Sequence, residues 1–178
     1  MIKKTNYKLF LITLGGRLSN SNIENHDIRW VVGTKIEDTF SELKKTWPGA
    51  KHGLHIDSYM EVKYIDGYII VPRRHLANEK KLLKDINKKN LAEKLWFINL
   101  GGYNSTSINE LHDCTLMVSK NKHEVIKRAK QVLLKGLDKV HVDNCYTINE
   151  TNGFQIELIK DSSDRSQDIK PDWVGYKR

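Results

Sequence analysis

An internal duplication is the feature that most constrains the fold of this chain. Residues 8–70 align with residues 94–156 at a constant offset of 86 without a gap, and 17 of the 63 aligned positions are identical. The segment Lys8–Gly16 returns as Lys94–Gly102, and two short His/Asp motifs return at the same offset. The duplication therefore predicts two copies of one folding unit, each of which has to bury an apolar face.

The first half of the unit is predicted to be two strands followed by a helix. The apolar run Leu9–Leu14 is typical of a strand buried on both faces, and residues 28–32 are β-branched or aromatic in the way that strands favour. Thr34 and Glu37 have the spacing of a helix capping box. A stripe of large apolar residues then predicts one buried helix face, made of Ile36, Phe40, Leu43 and Trp47. In the second copy Asn121 and Glu124 occupy the capping positions.

Two more strands are predicted to complete the unit. Residues 54–62 alternate between apolar and polar, which places His55, Asp57, Tyr59 and Glu61 on the face opposite Leu54, Ile56, Met60 and Val62. Asp66-Gly67 indicates a tight turn before the last strand, and Asn152-Gly153 repeats that signal in the second copy.

The predicted fold class is therefore α+β, a duplicated strand-strand-helix-strand-strand unit with mainly antiparallel sheets and one helix per repeat. Related units in one chain often replace a symmetric dimer, so we expect a pseudo-twofold arrangement. The expected division is repeat unit 1 at residues 8–71, a basic linker at 72–93, repeat unit 2 at 94–160 and a C-terminal tail at 161–178.

Charge and composition limit the classes of partner. The formal net charge is +8, and residues 72–94 supply +5 of it through eight basic and three acidic residues. This basic segment has no aromatic residue among its lysines and arginines, so the sequence does not favour nucleic-acid binding. No apolar run reaches the ~20 residues of a membrane span, so no membrane association is expected, while an oligomer is left open.

We expect a cytoplasmic protein. The chain has two cysteines, which do not form a disulfide framework. The apolar segment near the N-terminus is not interpreted as a signal peptide, because the same segment recurs in mid-chain.

Each copy repeats the same set of ionisable residues, and these are the candidate ligand-binding residues. They are Glu24, His26, Asp27, His55 and Asp57 in the first copy and Glu110, His112, Asp113, His141 and Asp143 in the second. Imidazoles and carboxylates are ligands for zinc, manganese and iron, so a divalent metal is the cofactor that this set would take. His–Asp acid–base chemistry and a purely structural role remain alternatives.

Two further motifs carry weaker hypotheses. A second-copy zinc site made of His112, Cys114, His141 and Cys145 is disfavoured, because the first copy lacks both cysteines. Gly15-Gly16 and Gly101-Gly102 lack the spacing of a phosphate-binding loop, and we expect a turn at the end of the strand that needs positive φ.

The same segments resemble a bacterial domain-of-unknown-function family, number 1543, which occurs as one or two copies per protein. The resemblance lies in residues 9–16, residues 26–33 with 36–40, and residues 55–58, and in the second copy in residues 99–103 and 110–113. It implies that the glycines and the His/Asp pairs belong to the family pattern, and it implies no activity. The second copy departs at Asn144-Cys145, which replaces Ser58-Tyr59.

The function expected from the sequence is binding of a small polar ligand or a metal at the repeated His/Asp residues. One alternative is a non-catalytic module that interacts with a protein or a nucleic acid. Another alternative is a hydrolase or isomerase that depends on a metal or on a His/Asp pair, although no motif specifies a nucleophile.

Overall fold

The computed structural model describes residues 5–74 and 92–178, and within these ranges each copy contributes five strands and one helix in the same order. The first copy comprises β1 (Lys8–Gly16), β2 (Asn25–Gly33), α1 (Phe40–Thr46), β3 (His55–Val62), β4 (Tyr64–Ile65) and β5 (Tyr68–Arg74). The second comprises β6 (Lys94–Tyr103), β7 (Leu111–Ser119), α2 (Lys122–Val132), β8 (Asp138–Thr147), β9 (Glu150–Thr151) and β10 (Phe154–Lys160), and β11 (Trp173–Lys177) follows in the tail.

The ends of these elements bear on the expected division of the chain. Strand β5 runs to Arg74, three residues beyond the expected end of the first unit. Residues 75–91 of the expected basic linker lie outside the described residues. No helix in the described ranges is long and apolar enough to cross a membrane.

Three antiparallel sheets organise the described chain. The first sheet has the strand order β11-β3-β1-β2 and the second has the order β7-β6-β8. The third sheet, β4-β5-β10-β9, is built from both copies, because β5 pairs with β10. The prediction of an α+β fold with antiparallel sheets and two repeats is therefore confirmed.

One core is shared by the two copies, and each helix covers a separate one. The shared core takes Leu9, Leu11 and Met60 from the first sheet, Phe97 and Leu116 from the second, and further residues from the third. The opposite face of the first sheet packs against the helical segment of copy 1, and that of the second sheet against α2. The face of each of these two sheets that carries no helix therefore packs against the shared core.

The helices form where the sequence places them, although one cap differs from the prediction. A 3₁₀ turn over Ile36–Thr39 precedes α1. The stripe residues Ile36, Leu43 and Trp47 are buried, as predicted. The Thr34 hydroxyl and backbone N–H bond the carboxylate of Asp38, so the predicted Thr34–Glu37 box is wrong by one residue. In α2 the Asn121 side chain accepts a hydrogen bond from the Glu124 N–H at 2.9 Å, as predicted for an N-cap.

A β-bulge reverses the side-chain alternation of β3. Ile56 pairs with Leu14 and Ser58 with Thr13, so Asp57 is an extra residue opposite no partner of its own. The prediction for the faces of this strand was therefore wrong beyond the bulge. Leu54 and Ile56 enter the core beneath α1, whereas Met60 and Val62 enter the shared core. The second copy repeats the bulge at Asp143, between the pairs Val142–Leu100 and Asn144–Asn99.

The two turns after the long strands connect one copy to the other. Asp66 and Asn152 have φ of 49° and 37°, as the Asp-Gly and Asn-Gly signals predict. The Asp66 Oδ2 atom accepts the backbone N–H of Val118 at 2.7 Å, and Asn152 Oδ1 accepts that of Val32 at 2.9 Å. Val118 is the repeat equivalent of Val32, so each turn holds the corresponding strand of the other copy.

We expect Asp66→Asn to lower the free energy of unfolding by about 0.5–1 kcal/mol. The amide oxygen can still accept the Val118 N–H, but the charge that pairs with Arg128 Nη2 at 2.6 Å is lost, at a site about one-third exposed. Urea denaturation measures the change. Asp168→Asn is the matched control, because its ion pair with Lys170 is about three-quarters exposed and should contribute less. Equal effects of the two substitutions would contradict a role for the turn in joining the copies.

Candidate functional site

Three neighbouring strands bring two histidines of each copy to one rung of the sheet. In the first copy Gly15 on β1 pairs with His26 on β2 and with His55 on β3. In the second copy Gly101 on β6 pairs with His112 on β7 and with His141 on β8. Each rung is therefore His-Gly-His, with the glycine in the middle.

The glycines provide space for this rung. A Cβ atom on Gly15 would lie 2.5 Å from His55 Nε2 and 3.0 Å from Asp57 Oδ2. A Cβ atom on Gly101 would lie 2.6 Å from Glu110 Oε1 and 2.9 Å from Asp143 Oδ2. Both glycines are strand residues without positive φ, so the predicted turn was wrong and close packing is the physical reason for glycine.

Four side chains of the first copy form a ring in which imidazoles and carboxylates alternate. His26 Nε2 lies 3.6 Å from Glu24 Oε1 and 3.4 Å from Asp57 Oδ2. His55 Nε2 lies 3.4 Å from the same Glu24 oxygen and 3.1 Å from Asp57 Oδ1. Alternation along β3 places Asp57 on the side of His55, as predicted, and the bulge leaves Asp57 without a partner on β1 and brings Met60 to the same side.

The second copy forms the same ring, and three of its four contacts are shorter. His112 Nε2 lies 3.6 Å from Glu110 Oε2 and 3.2 Å from Asp143 Oδ2. His141 Nε2 lies 3.0 Å from Glu110 Oε1 and 3.0 Å from Asp143 Oδ1. Glu110, His141 and Asp143 each offer a ligand atom, and these three atoms lie within 4.8 Å of one another.

One histidine of each ring is oriented so that its Nε2 atom faces the carboxylates. His55 Nδ1 lies 2.8 Å from the Gly53 carbonyl oxygen, and His141 Nδ1 lies 3.0 Å from that of Lys139. Because a carbonyl only accepts, Nδ1 carries the hydrogen. In the neutral imidazole Nε2 then presents a lone pair to two carboxylates. Among the described groups, no hydrogen bond reaches the buried Asp57 Oδ2 or Glu110 Oε1. One added proton can serve one carboxylate, whereas a divalent cation beside both carboxylates of a ring would neutralise both.

Two of the predicted site residues lie outside the rings. The Asp27 carboxylate pairs with Arg29 Nη2 at 2.7 Å and accepts the Ile28 N–H, and Asp113 accepts the Cys114 N–H. These aspartates therefore bond to groups of their own strands, although both are identical between the copies. The other eight predicted residues form the two rings.

The cysteines do not share one site. Cys114 packs against the shared core and Cys145 against the core beneath α2, which are opposite faces of the same sheet. Burial, with a smaller contribution from Asp113, raises the pKa of the Cys114 thiol to about 11. Burial also raises the pKa of Cys145. A zinc site that includes both thiols was the wrong hypothesis, and Glu110 and Asp143 occupy the ring instead.

Two tyrosines that the sequence analysis missed accompany the rings. The Tyr176 ring stacks on His55 with a centroid distance of 3.9 Å, and Tyr103 stacks on His141 at 6.0 Å. The Tyr103 hydroxyl hydrogen-bonds Glu110, and that carboxylate raises the pKa of the phenol. Tyr103 replaces Arg17 of the first copy and Tyr176 lies outside the duplication, so comparing the copies signals neither residue.

A cleft between the copies adjoins both rings. Its volume is about 650 Å³, within the range of pockets that hold small molecules. His26 and His112, one from each ring, line it together with the equivalent pair Thr13 and Asn99. The side chains of His26 and His112 are 56% and 48% exposed, so both rings are open on this side.

Fold and rings together define a duplicated α+β protein that carries one two-histidine, two-carboxylate cluster in each copy. The chain belongs to the family described as Domain of Unknown Function (DUF1543), whose model matches it twice, over residues 21–71 and 107–158. Each match spans all four ring residues of its copy, and the two matches confirm the tandem arrangement that the sequence resemblance indicated.

One solved structure extends the comparison over almost the whole chain. The crystal structure of the protein Il1583 from Idiomarina loihiensis is 27% identical in sequence, with a TM-score of 0.69. The similarity covers 96% of each of the two chains. No curated protein matches the chain.

Proposed function

We propose that the protein binds divalent metal ions, one at the ring of each copy. The observation that carries the proposal is the facing of imidazole Nε2 atoms and carboxylate oxygens across a short gap, where the buried Asp57 Oδ2 and Glu110 Oε1 atoms accept no hydrogen bond. A tetrahedral ion with bonds of about 2.0–2.1 Å separates its ligand atoms by about 3.3 Å. The sides of both rings, at 3.0–3.6 Å, agree with this separation. In the second copy the ligand atoms of Glu110, His141 and Asp143 also all lie within 4.8 Å of one another.

The ligand types narrow the choice of metal. Two imidazole nitrogens with two carboxylates suit zinc, manganese or ferrous iron, whereas calcium and magnesium prefer oxygen ligands alone. The backbone carbonyls of Gly53 and Lys139 orient His55 and His141 from behind, in the manner of outer-shell partners at metal sites. In copy 2 Asn99 Nδ2 adds a contact of 3.4 Å to Asp143 Oδ2.

The cleft supports a role for a small polar ligand beside the metal ions. Histidines from both rings line it, and so do the amide side chains of Asn99 and Asn144. A small polar molecule in the cleft would contact both copies and could donate an oxygen or nitrogen atom to either metal ion. We therefore assign the cleft as the route by which such a ligand reaches the metals.

We also infer a pseudo-twofold relation between the copies, which would place the two metal sites in equivalent surroundings. Two observations support it. Val71 of β5 faces Glu157 of β10, which is its own repeat equivalent, at the middle of the pairing between the copies. The reciprocal turn contacts of Asp66 with Val118 and of Asn152 with Val32 have the same relation.

Metal content of the untagged protein, measured by elemental mass spectrometry, tests the proposal. We expect about two equivalents of zinc, manganese or iron in the unsubstituted chain, and about one in either Asp57→Asn or Asp143→Asn. The matched controls are Asp27→Asn and Asp113→Asn, because these carboxylates lie nearby but outside the rings. The controls should keep both equivalents.

A melting curve with and without a chelator completes the test. Bound metal stabilises the folded state, so a chelator should lower the melting temperature of the unsubstituted protein and of both controls. The double variant Asp57→Asn with Asp143→Asn should melt at the same temperature in both conditions. A protein that binds no zinc, manganese or ferrous iron when each is supplied would refute the proposal.

A further inference from the structure

The C-terminal strand β11 adds an edge strand to the sheet of the first copy. Strand β11 pairs with β3, with Trp173 opposite Tyr59 and Val174 opposite Ser58. In the second copy β8 occupies the place of β3, and none of the described strands pairs with its outer edge. The duplication thus ends in an asymmetry beside the two rings.

A bulge in β11 directs Tyr176 to the first ring. The pairing moves from Ser58 to Ile56 on β3 while it moves from Val174 to Lys177 on β11, so β11 carries one extra residue. Gly175 permits the bend, since a Cβ atom there would lie 2.7 Å from the Trp173 ring. The Arg178 guanidinium hydrogen-bonds the Tyr176 hydroxyl at 2.8 Å, and Lys177 pairs with Glu37 at 2.7 Å. These contacts hold the tail over the histidine.

The result is a large difference in solvent exposure between His55 and its repeat equivalent His141. The His55 side chain is 2% exposed beneath Tyr176, whereas that of His141 is 44% exposed. Tyr103 stacks on His141 at a distance 2.1 Å greater than that of Tyr176 from His55, from the 6.0 and 3.9 Å centroid separations. The other three ring residues differ less between the copies, and each of them is somewhat more exposed in the first copy than in the second.

We infer that the two metal sites have different tasks, an inference that rests on the proposed function. The first site is a retained, slowly exchanging site whose ligand His55 is fixed by the positioning residue Tyr176. The second site is the exchanging one, where the metal ion can be released and where an outside ligand can replace His141. Metal release requires a ligand to turn away and water or a chelator to enter, and Tyr176 blocks both movements at His55.

The release rate of Co²⁺ into excess EDTA, followed by its visible absorption, tests the inference in single-site proteins. Asp143→Asn leaves only the first site and Asp57→Asn only the second. We expect release from the first site to be at least about tenfold slower. Tyr176→Ala should remove this difference by accelerating release from the first site without changing release from the second.

Tyr176→Phe is the conservative control, because it keeps the ring over His55 and loses the hydroxyl that Arg178 contacts. It should retain slow release from the first site, and melting curves will show whether each variant is folded. Equal release rates in the two single-site proteins would overturn the inference while leaving metal binding intact. Equal acceleration of both sites by Tyr176→Ala would also overturn it, since a general loss of stability would then explain the effect. Failure of either single-site protein to bind Co²⁺ would instead refute the proposed function at that site.

Discussion

Gly15→Ala is expected to remove metal from the first copy and leave the second copy loaded. The added Cβ atom would lie 2.5 Å from His55 Nε2, the proposed ligand atom, and 3.0 Å from an oxygen of Asp57. Because Gly15 is the middle residue of the rung, neither neighbouring strand can yield without moving a ligand. We expect the affinity of the first site to fall by about two orders of magnitude or more, as for a displaced ligand or outer-shell partner.

Gly16→Ala is the matched control, because it makes the same change one residue further along and on the other face of β1. Its Cβ atom would meet the Trp47 ring at 2.9 Å, so it should cost about 1–3 kcal/mol in stability through overpacking. It should keep about two equivalents of metal. The second copy offers the same comparison, with Gly101→Ala against Gly102→Ala. Full metal occupancy in both Gly15→Ala and Gly101→Ala, measured by elemental mass spectrometry, would contradict the assignment of the rings.

The second large effect is a pH dependence of opposite sign in the metal-free and metal-loaded protein. The Lys139 carbonyl, which accepts a hydrogen bond from Nδ1, raises the pKa of His141 above its ordinary value of 6.5, and the Asp143 and Glu110 carboxylates add to this. In metal-free protein the protonated His141 imidazole therefore stabilises the fold below the unfolded-state pKa. That contribution is lost as pH rises through the folded-state pKa.

Metal binding reverses this trend, because a ligating imidazole has to release its proton from Nε2. On acidification we expect affinity at the second site to begin falling above pH 6.5. Well below the pKa of a ligand, the loss is about tenfold per pH unit for each imidazole that must be deprotonated. Titrations of the Asp57→Asn protein with Zn²⁺ between pH 5.5 and 8 measure this. Affinity that stays constant over that range would exclude His141 as a ligand, and nuclear magnetic resonance titration of its ring gives the metal-free pKa independently.

The elements that the sequence predicts well depend on local signals. The helix stripes, the Asp-Gly and Asn-Gly turns and the first strand of each copy follow from periodicity and turn chemistry, which act over a few residues. The duplication then adds what local signals lack, because it selects polar residues that both copies keep. Eight of the ten residues selected in this way form the rings.

The remaining features depend on contacts distant in sequence. A bulge is one extra residue relative to a partner strand, so Asp57 cannot be recognised as one before β1 and β3 are paired. Gly15 and Gly101 are visible in the duplication, but the side chains that require glycine lie on other strands or in the loop between them, His55 for Gly15 and Glu110 with Asp143 for Gly101. Asp27 and Asp113 show the converse limit, since both are identical between the copies and yet lie outside the rings, where each accepts the N–H of the next residue.

The pairing of β5 with β10 has a consequence for chains that carry one copy of this unit. Each copy completes its third sheet with a strand of the other, and the contact is centred on equivalent residues, Val71 and Glu157. A solitary copy would leave that edge open and part of its apolar face uncovered, which favours association. Two such chains could meet through the same strand, each giving the other what it receives. The duplicated chain would then be a covalently fused homodimer, in which each half was free to diverge, as the tail over His55 illustrates.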